Sequence, residues 1–509
     1  MSLPSLLPRA QTRKLAPLGM AVLMAVLMAG CTLAPTYERP ALPVPAALPS
    51  GGAYGLAQPA PTPAADVRWR DFFTDPKLRR VIQLALDNNR DLRVAVLNVA
   101  EARAQYRVQR SALAPHINAN FDPTIEHLPA SVLGAEAGVN TSTLGVSANQ
   151  SVDIQYYQAT LGVSSYELDL WGRVRSLSRQ ALEQYFATEE ARRAAQISLI
   201  SQVATAYVTY AADLERLDTA QRTVDNDKTS LNLTQQRFNA GVASELDVRQ
   251  AQSALEQANA GVSTYTTTVA QDVNALRLLV GADVPSDLLP TPLQDQVVTL
   301  PDLPAGLSSE LLLRRPDVME AEHQLKGYNA NIGAARAAFF PTIELTGGGG
   351  STSTSLSRLF GPASGAWTFT PTVTLPIFSG GRNVANLNLA KAQKEMAVAQ
   401  YEKAVQTAFR EVADALAQHG QIASLVSANE REVDAVSHSF SLSSARYQRG
   451  SDTYLNVLNA QVTLFQAQQN LIAARLTRAV NLITLYQTLG GGAGPDDPPK
   501  IATVSDKAS

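Results

Sequence analysis

Apolar residues recur along this chain with two different spacings, and the changes of spacing mark where its elements begin and end. Ile200, Ala204, Tyr207, Ala211 and Leu214 step by four and three residues, as do Ala251, Leu255, Ala258, Val262 and Tyr265. The rhythm returns at Phe409, Ala413, Leu416, Gly420 and Ala423, and again at Ala460, Leu464, Ala467, Leu471 and Ala474. A mean period of 3.5 describes supercoiled helices with interlocking side chains, a chemistry that an ordinary buried helical seam shares. Small residues at about half of these positions allow close approach. Proline is absent between Gly172 and Pro285 and between Pro376 and Pro495, and residues 173–237 and 382–446 are rich in Ala, Gln, Leu, Glu and Arg. Such composition favours helix, so each stretch predicts a single helix of about 65 residues, roughly 95 Å long at ~1.5 Å rise per residue.

Between these stretches the period falls to two. Trp367, Phe369, Val373, Leu375 and Ile377 alternate with Thr368, Thr370, Thr372 and Thr374, and Ile343 and Leu345 alternate with Thr342, Glu344 and Thr346. Alternation of this kind predicts strands with one apolar and one polar face. Pro371 argues against a strand paired on both sides. Gly347–Gly350 is not followed by Lys-Ser or Lys-Thr, so it reads as a flexible loop and not as a phosphate cradle. Weaker strand patterns at 116–126 and 157–170 bring the total to four, in two hairpins. Strands of ten residues with one apolar face suit a membrane barrel, which must be closed and needs at least about eight strands. Four strands therefore predict an oligomer, and three copies supply twelve.

The chain is also duplicated. Arg237-Phe238-x-x-Gly241, Leu246-Asp247-Val248 and Ala251-Gln252-x-x-Leu255 return 209 residues later as Arg446-Tyr447-x-x-Gly450, Leu455-Asn456-Val457 and Ala460-Gln461-x-x-Leu464. Upstream, Asp91 and Arg110-x-Ala112-x-x-Pro115 match Asp317 and Arg336-x-Ala338-x-x-Pro341 at an offset of 226. Each repeat reads helix, strand, loop, strand, long helix, turn, helix. The expected organisation is a signal peptide at 1–30 and a Pro-rich tether at 31–66. A first repeat at 67–290, a linker at 291–308, a second repeat at 309–491 and a flexible tail at 492–509 follow. Trp69-Arg70-Asp71-Phe72-Phe73-Thr74-Asp75-Pro76 starts the body as the capped beginning of a helix.

Composition narrows the partners. Lys and Arg total 42 against 45 acids, and the basic residues are scattered, which excludes a nucleic-acid stripe. Arg9, Arg13 and Lys14 precede an apolar run from Leu15 to Ala29, too short for a spanning helix and ending at Met28-Ala29-Gly30-Cys31. Cys31 is the single cysteine, so no internal disulfide forms. The ending resembles the bacterial lipobox, in which the cysteine is acylated; an ordinary signal peptide with an incidental cysteine is the alternative. Eight prolines from Pro35 to Pro63 predict an extended tether.

Taken in order, Cys31-Thr32-Leu33-Ala34-Pro35, the Trp69–Leu78 stretch, Arg314-Arg315-Pro316-Asp317, Ala335-Arg336-x-x-x-x-Pro341 and both Arg-aromatic-x-x-Gly motifs resemble the outer membrane factor family, most closely its multidrug-efflux lipoproteins. The resemblance implies an α+β membrane protein. It would be a homotrimer with a 12-stranded outer-membrane β-barrel, four strands per chain, continuous with a long 12-helix periplasmic α-barrel. It implies residence in the Gram-negative outer membrane, a lipid anchor at Cys31, sorting to that membrane by Thr32, and docking with a periplasmic adaptor and an inner-membrane pump. Gly241 and Gly450 would be the helix-hairpin turns at the periplasmic tip, where the adaptor attaches. Asp247 in the first hairpin, and Tyr447, Asp452, Asn456 and Asn459 in the second, would form the constriction. Asn456 and Asn459 stand where the family often has carboxylates, so a strongly cation-binding ring is not expected. Closure is expected to rest on inter-helix contacts of Asp247 and Tyr447.

No catalytic constellation accompanies these motifs. His116, His127, His323, His419 and His438 lack metal-ligand spacing, and no cofactor or metal site is expected. Three functions remain: an efflux exit duct, the same duct serving type I protein secretion, and a non-pore structural coiled-coil lipoprotein. The alternating strands have no use in the third.

Overall fold

The computed structural model describes residues 32–54, 68–129, 151–292 and 308–491. The expected signal peptide, Cys31, residues 55–66 of the tether, most of the linker and the C-terminal tail lie outside the described residues.

The proline-free stretches form the helices α3 (Arg173–Asn239) and α6 (Arg382–Gln448), of 67 residues each. Before them run α1 (Pro76–Asn88), α2 (Arg90–Ser111), β1 (Ile117–Pro129) and β2 (Ser151–Glu167). After α3 come α4 (Glu245–Val280), α5 (Pro316–Ala337), β3 (Thr342–Ser353) and β4 (Gly365–Thr374), and α7 (Tyr454–Thr488) follows α6. Among the described residues no helix is long and apolar enough to cross a membrane.

The described residues fall into two compact units. One holds the segment up to Glu38, Ala102–Gln184 and Leu325–Met396. Its sheet is antiparallel, in the order β1-β2-β3-β4, so β1 and β4 are the free edges. The register sorts every residue to a face. Ile117, Val163, Gly347 and Phe369 form one row across the sheet, and the next row is Asn118, Gly162, Gly348 and Thr368. The first face carries Ile117, Phe121, Ile125, Leu161, Trp367, Phe369 and Val373, all exposed in the single chain. The second carries Asn118, Asn120, Asp122, Thr160 and the threonines of β4. Pro371 sits opposite Leu345 on an edge strand, where its missing N–H is tolerated.

Gly347–Gly350 is strand and not the loop expected from its composition. A Cβ at Gly350 would collide with the Ala159 carbonyl, and one at Gly162 would lie 2.5 Å from the Gly347 carbonyl. Both positions face the polar side, so the seam between β2 and β3 curls there more tightly than side chains permit. On the apolar side Gly347 and Gly349 lie beside Phe369 and Trp367 of β4. The run is therefore a device of curvature.

The segment expected to be a tether is docked in its described part. In this unit the Leu33 carbonyl accepts from Arg336 (3.0 Å), the Pro35 carbonyl accepts from Asn329 (2.7 Å), and Lys326 lies 5.3 Å from the Tyr37 ring. A Cβ on Gly333 would come within 2.7 Å of the Ala34 nitrogen, so only glycine lets this backbone lie on α5. In the other unit Arg39 forms a two-pronged ion pair with buried Glu322 at 3.0 and 2.9 Å. The first unit's contacts at 326, 329, 333 and 336 of α5 fall on one face, so this part of the strap follows helical periodicity.

The second unit, Arg39–Glu101, Tyr185–Gln324 and the chain from Ala397 onward, holds the principal core. Trp69, Phe72 and Phe73 pack with α1 against Val203, Tyr207, Leu276, Val280 and Tyr486. Asp75 caps α1 by accepting from Lys77 N (2.7 Å) and also accepts from Tyr207 Oη (3.0 Å), which joins the opening motif to α3. The two repeats secure their last helices alike. Asn89 donates to the Leu279 carbonyl at the end of α4 (2.8 Å), and Arg315 donates to the Thr488 carbonyl at the end of α7 (2.8 Å). Duplication kept the clasp and changed its chemistry.

They differ further along the same helices. Asn481 is fully buried and donates to the Ala415 carbonyl and to Gln418 Oε1 at 2.9 and 3.0 Å. The matching residue of the first repeat is Asp272, which faces Asp213, itself bound by Arg216 at 2.6 Å. Burial and the neighbouring Asp213 carboxyl push the Asp272 carboxyl up to about 6. Because the folded value is raised, the ionised pair opposes folding above that pH and the opposition disappears on acidification.

Two outcomes follow. Gly350→Ala should abolish assembled channel, as judged by heat-modifiable mobility on gels, whereas Gly349→Ala, whose Cβ meets the Trp367 Cβ at an ordinary 3.9 Å, should assemble normally. Asp272→Asn should raise the thermal midpoint at pH 7.5, with the gain shrinking as the pH falls below about 6 and vanishing near the ordinary aspartate value of about 4.

Candidate functional site: the paired helical hairpins

Both helical hairpins turn on glycine. Gly241 and Gly450 have φ of 80° and 75°, a region that penalises any Cβ. Val242 N bonds to the Arg237 carbonyl (2.9 Å) and Gly241 N to the Phe238 carbonyl (2.9 Å); Ser451 and Gly450 repeat the pair on Arg446 and Tyr447. This double bond pattern is the Schellman ending, with glycine at C′, and it satisfies the last carbonyls of α3 and α6. The chain then re-enters helix within a few residues, so each turn reverses tightly.

The returning helices α4 and α7 begin differently. Ser244 and Asp247 form a reciprocal capping box at the start of α4: Ser244 Oγ accepts from Asp247 N (3.1 Å), and the Asp247 carboxylate accepts from Ser244 N (2.9 Å). Among the described residues the hydrogen bonds of Asp247 go to Ser244, within its own hairpin. Three residues into a helix, a carboxylate is drawn back to the cap by the free N–H groups of the first turn. The second turn lacks this box. There Asp452 accepts from Asn456 Nδ2 (2.6 Å), Thr453 N (2.8 Å) and Arg446 Nε (3.1 Å). The bonds from Asn456 and Thr453, with Arg446 beside it, hold the Asp452 carboxyl below the usual carboxylate range. Asn456 thus serves Asp452, and Asn459 is exposed.

Tyr447 has partners on α3, one of them the arginine of the first motif. Its ring lies 4.6 Å from the Arg237 guanidinium, and its hydroxyl is 3.3 Å from Thr234 Oγ1 in a buried contact. Arg237 Nη1 also donates to the Tyr447 carbonyl at 2.9 Å. Arg237 is therefore bound to the C-terminal end of α6, where a cation is favoured by the helix dipole and the exposed carbonyls. Tyr447 packs with Tyr454, Val457 and Ala251 in a small buried cluster. Arg446, the counterpart of Arg237, turns to its own hairpin instead. In the sequence Arg237 is visible only as a motif letter, and its recurrence before an aromatic residue is the available signal.

The chemistry of this arrangement is mechanical. Charged groups pair with neighbours or caps, and among the described residues no three His, Cys, Asp or Glu gather as a metal site would require. What the geometry offers is a clasp between two hairpins, made of hydrogen bonds and one stacked cation.

Comparison with known proteins agrees with this geometry. The family model described as outer membrane efflux protein matches residues 81–282 and 307–491. The chain is 47% identical over 468 residues to the probable efflux pump outer membrane protein TtgC of Pseudomonas putida, covering 92% of this chain and 94% of that one. It is 43% identical over 472 residues to the outer membrane protein OprJ of Pseudomonas aeruginosa, covering 93% and 95%. The solved open state of the MtrE outer membrane channel of Neisseria gonorrhoeae superposes with a TM-score of 0.80 at 38% identity, over 91% of this chain and 98% of that one. The paired long helices, the four-stranded sheet and the duplicated Gly turns thus sit in a known setting: the chain belongs to the outer membrane efflux protein family.

Proposed function

We propose that three copies of this chain close into the outer-membrane duct of a tripartite efflux pump, a passive exit for drugs or other small toxic compounds from periplasm to exterior. The observation that carries this reading is the sheet. One face is apolar from Ile117 to Ile125 and from Trp367 to Val373, the other is polar, and both edges are open. Hydrocarbon does not tolerate open edges, so β1 of one copy pairs with β4 of the next, and three sheets of four complete a ring of twelve. The helices have the same incompleteness. The seam positions Ile200, Ala204, Tyr207 and Ala211 of α3 are buried within the chain, whereas Leu255 and Val262 of α4 are half-exposed and await neighbours in a twelve-helix tunnel.

In this reading Cys31 carries the lipid, and the Gly241 and Gly450 turns meet a periplasmic adaptor that joins the duct to an inner-membrane pump. Phe238, Val242, Leu246 and Leu455 beside those turns are exposed and apolar, as a docking surface requires. Asp247, Tyr447, Asp452, Asn456 and Asn459 form the constriction. The Arg237–Tyr447 clasp holds it closed, and opening swings the second hairpin away from Arg237.

Conductance in planar bilayers tests the duct, and drug susceptibility of a deletion strain separates efflux from protein secretion. The clasp makes a finer prediction. Arg237→Ala combined with Tyr447→Phe removes a cation–π contact worth ~0.5–2 kcal/mol and should raise the open fraction by about tenfold. Single-channel recording measures it, and wild-type conductance in the double variant would end the gate assignment.

A further inference from the structure

Asp227 lies on α3, about four turns before Gly241. It is 2% exposed, and among the described residues its single hydrogen-bond partner is neutral: Gln461 Nε2 of α7 donates to Oδ1 at 2.6 Å. No described Lys or Arg pairs with it. Carboxylates are almost never fully buried without a cation, because desolvation then goes uncompensated. Helix packing does not demand one here, since the matching residue of the second repeat is Val436. A buried acid that its own fold does not neutralise calls for a counter-charge from outside.

The space for it is present. Asp227 lines an open cleft of about 360 Å³ between α3, α4 and α7, with Tyr265 and Phe465 as aromatic walls and Gly261 on the α4 side. A Cβ on Gly261 would meet nothing within 4 Å, so the glycine keeps this space open and is not required by packing. The Tyr265 hydroxyl donates to Gln469 Oε1 at 3.1 Å and leaves Gln469 Nε2 buried without an acceptor. Tyr454 Oη is also buried without a partner, and burial, with the Asp227 charge beside it, pushes its hydroxyl up to about 12. Burial likewise raises the Asp227 carboxyl above its ordinary range.

We infer that the α3–α4–α7 cleft is a binding site for small organic cations, an ammonium or amidinium group meeting Asp227 and a compact aromatic or aliphatic body lying between Tyr265 and Phe465. The cleft has the size and mixed lining of small-molecule sites, one charged group among apolar walls. The aromatic rings add cation–π attraction to the ion pair. Its concavity favours a free small molecule over the extended surface of a protein partner. The site is separate from the Arg237–Tyr447 clasp and does not depend on it.

The test is titration of the purified full-length assembly with benzylammonium chloride, followed by calorimetry and ligand-observed NMR, with benzyl alcohol as the neutral control. Saturable binding at one site per chain is expected, with benzyl alcohol bound far more weakly. Asp227→Asn should weaken benzylammonium by about thirtyfold or more. Gly261→Leu, which fills the cleft from an open helix face, should abolish binding while the assembly remains intact on gels. If Asp227→Asn does not assemble, Gly261→Leu decides alone. Absence of saturable binding, equal binding of the neutral control, or binding that survives either substitution in an assembled channel overturns the inference. The first of these results would leave a basic side chain of a docking protein as the occupant.

Discussion

Everything in this molecule answers to the requirement that backbone N–H and C=O groups in hydrocarbon find partners. The four strands satisfy one another in three ladders and leave the outer sides of β1 and β4 unmet. An apolar face spread over all four strands makes water an impossible solution for those edges, since pairing must occur where the face is buried. The demand therefore passes to other copies of the chain. It also shapes the interior of the sheet, because a ring of few strands has to bend. Gly162 and Gly350 occupy the polar face where neighbouring backbone leaves no room for a side chain, and between them Gly348 is tightly packed.

Duplication supplied the parts, and divergence set their roles. The Arg-aromatic-x-x-Gly motif ends both long helices by the same Schellman geometry, yet its two arginines do different things. Arg237 crosses to cap α6 and stack on Tyr447, while Arg446 stays within its own turn with Asp452. At the other end of the hairpins Asn89 and Arg315 hold the same helix terminus with a neutral and a charged group. Asp272 and Asn481 stand at matching places, one beside a carboxyl and the other in a satisfied amide network. Each change leaves the helices where they were and redistributes charge around them. A repeat that is twofold in backbone is thereby made single in chemistry.

Periodicity carried most of the architecture. The proline-free stretches and their glycine ends delimit α3 and α6 within two residues, because helix termination by glycine is a local event. The alternation of Trp367 to Val373 with threonine identifies β4 for the same reason. Gly347–Gly350 is illegible since its glycines answer to the backbone of β2, nearly two hundred residues away, and a glycine run has no side chains to alternate. Asp247 is hard to read for a similar reason: one carboxylate near a hairpin has both a cap and a neighbouring helix within reach, and spacing along the sequence does not choose between them. Arg237 and Asp227 depend on contacts with α6 and α7, which spacing along one stretch of sequence does not record. The docked strap is hidden by its prolines, whose composition is that of a free tether while their carbonyls serve Asn329 and its neighbours.

That strap has a consequence for the order of events in folding. The Pro35 carbonyl meets Asn329 across 294 residues, and Leu33 meets Arg336 across 303. Contacts of such long range form late, because the loop they close must lose its freedom before the contact repays it. The N-terminal residues leave the membrane first during export, yet their groove on α5 does not exist until most of the chain has followed. During that interval residues 32–39 have no α5 to dock on. When α5 forms, Gly333 admits the backbone and Arg39 closes on Glu322, so docking of the strap reports that the first helix of the second repeat is in place.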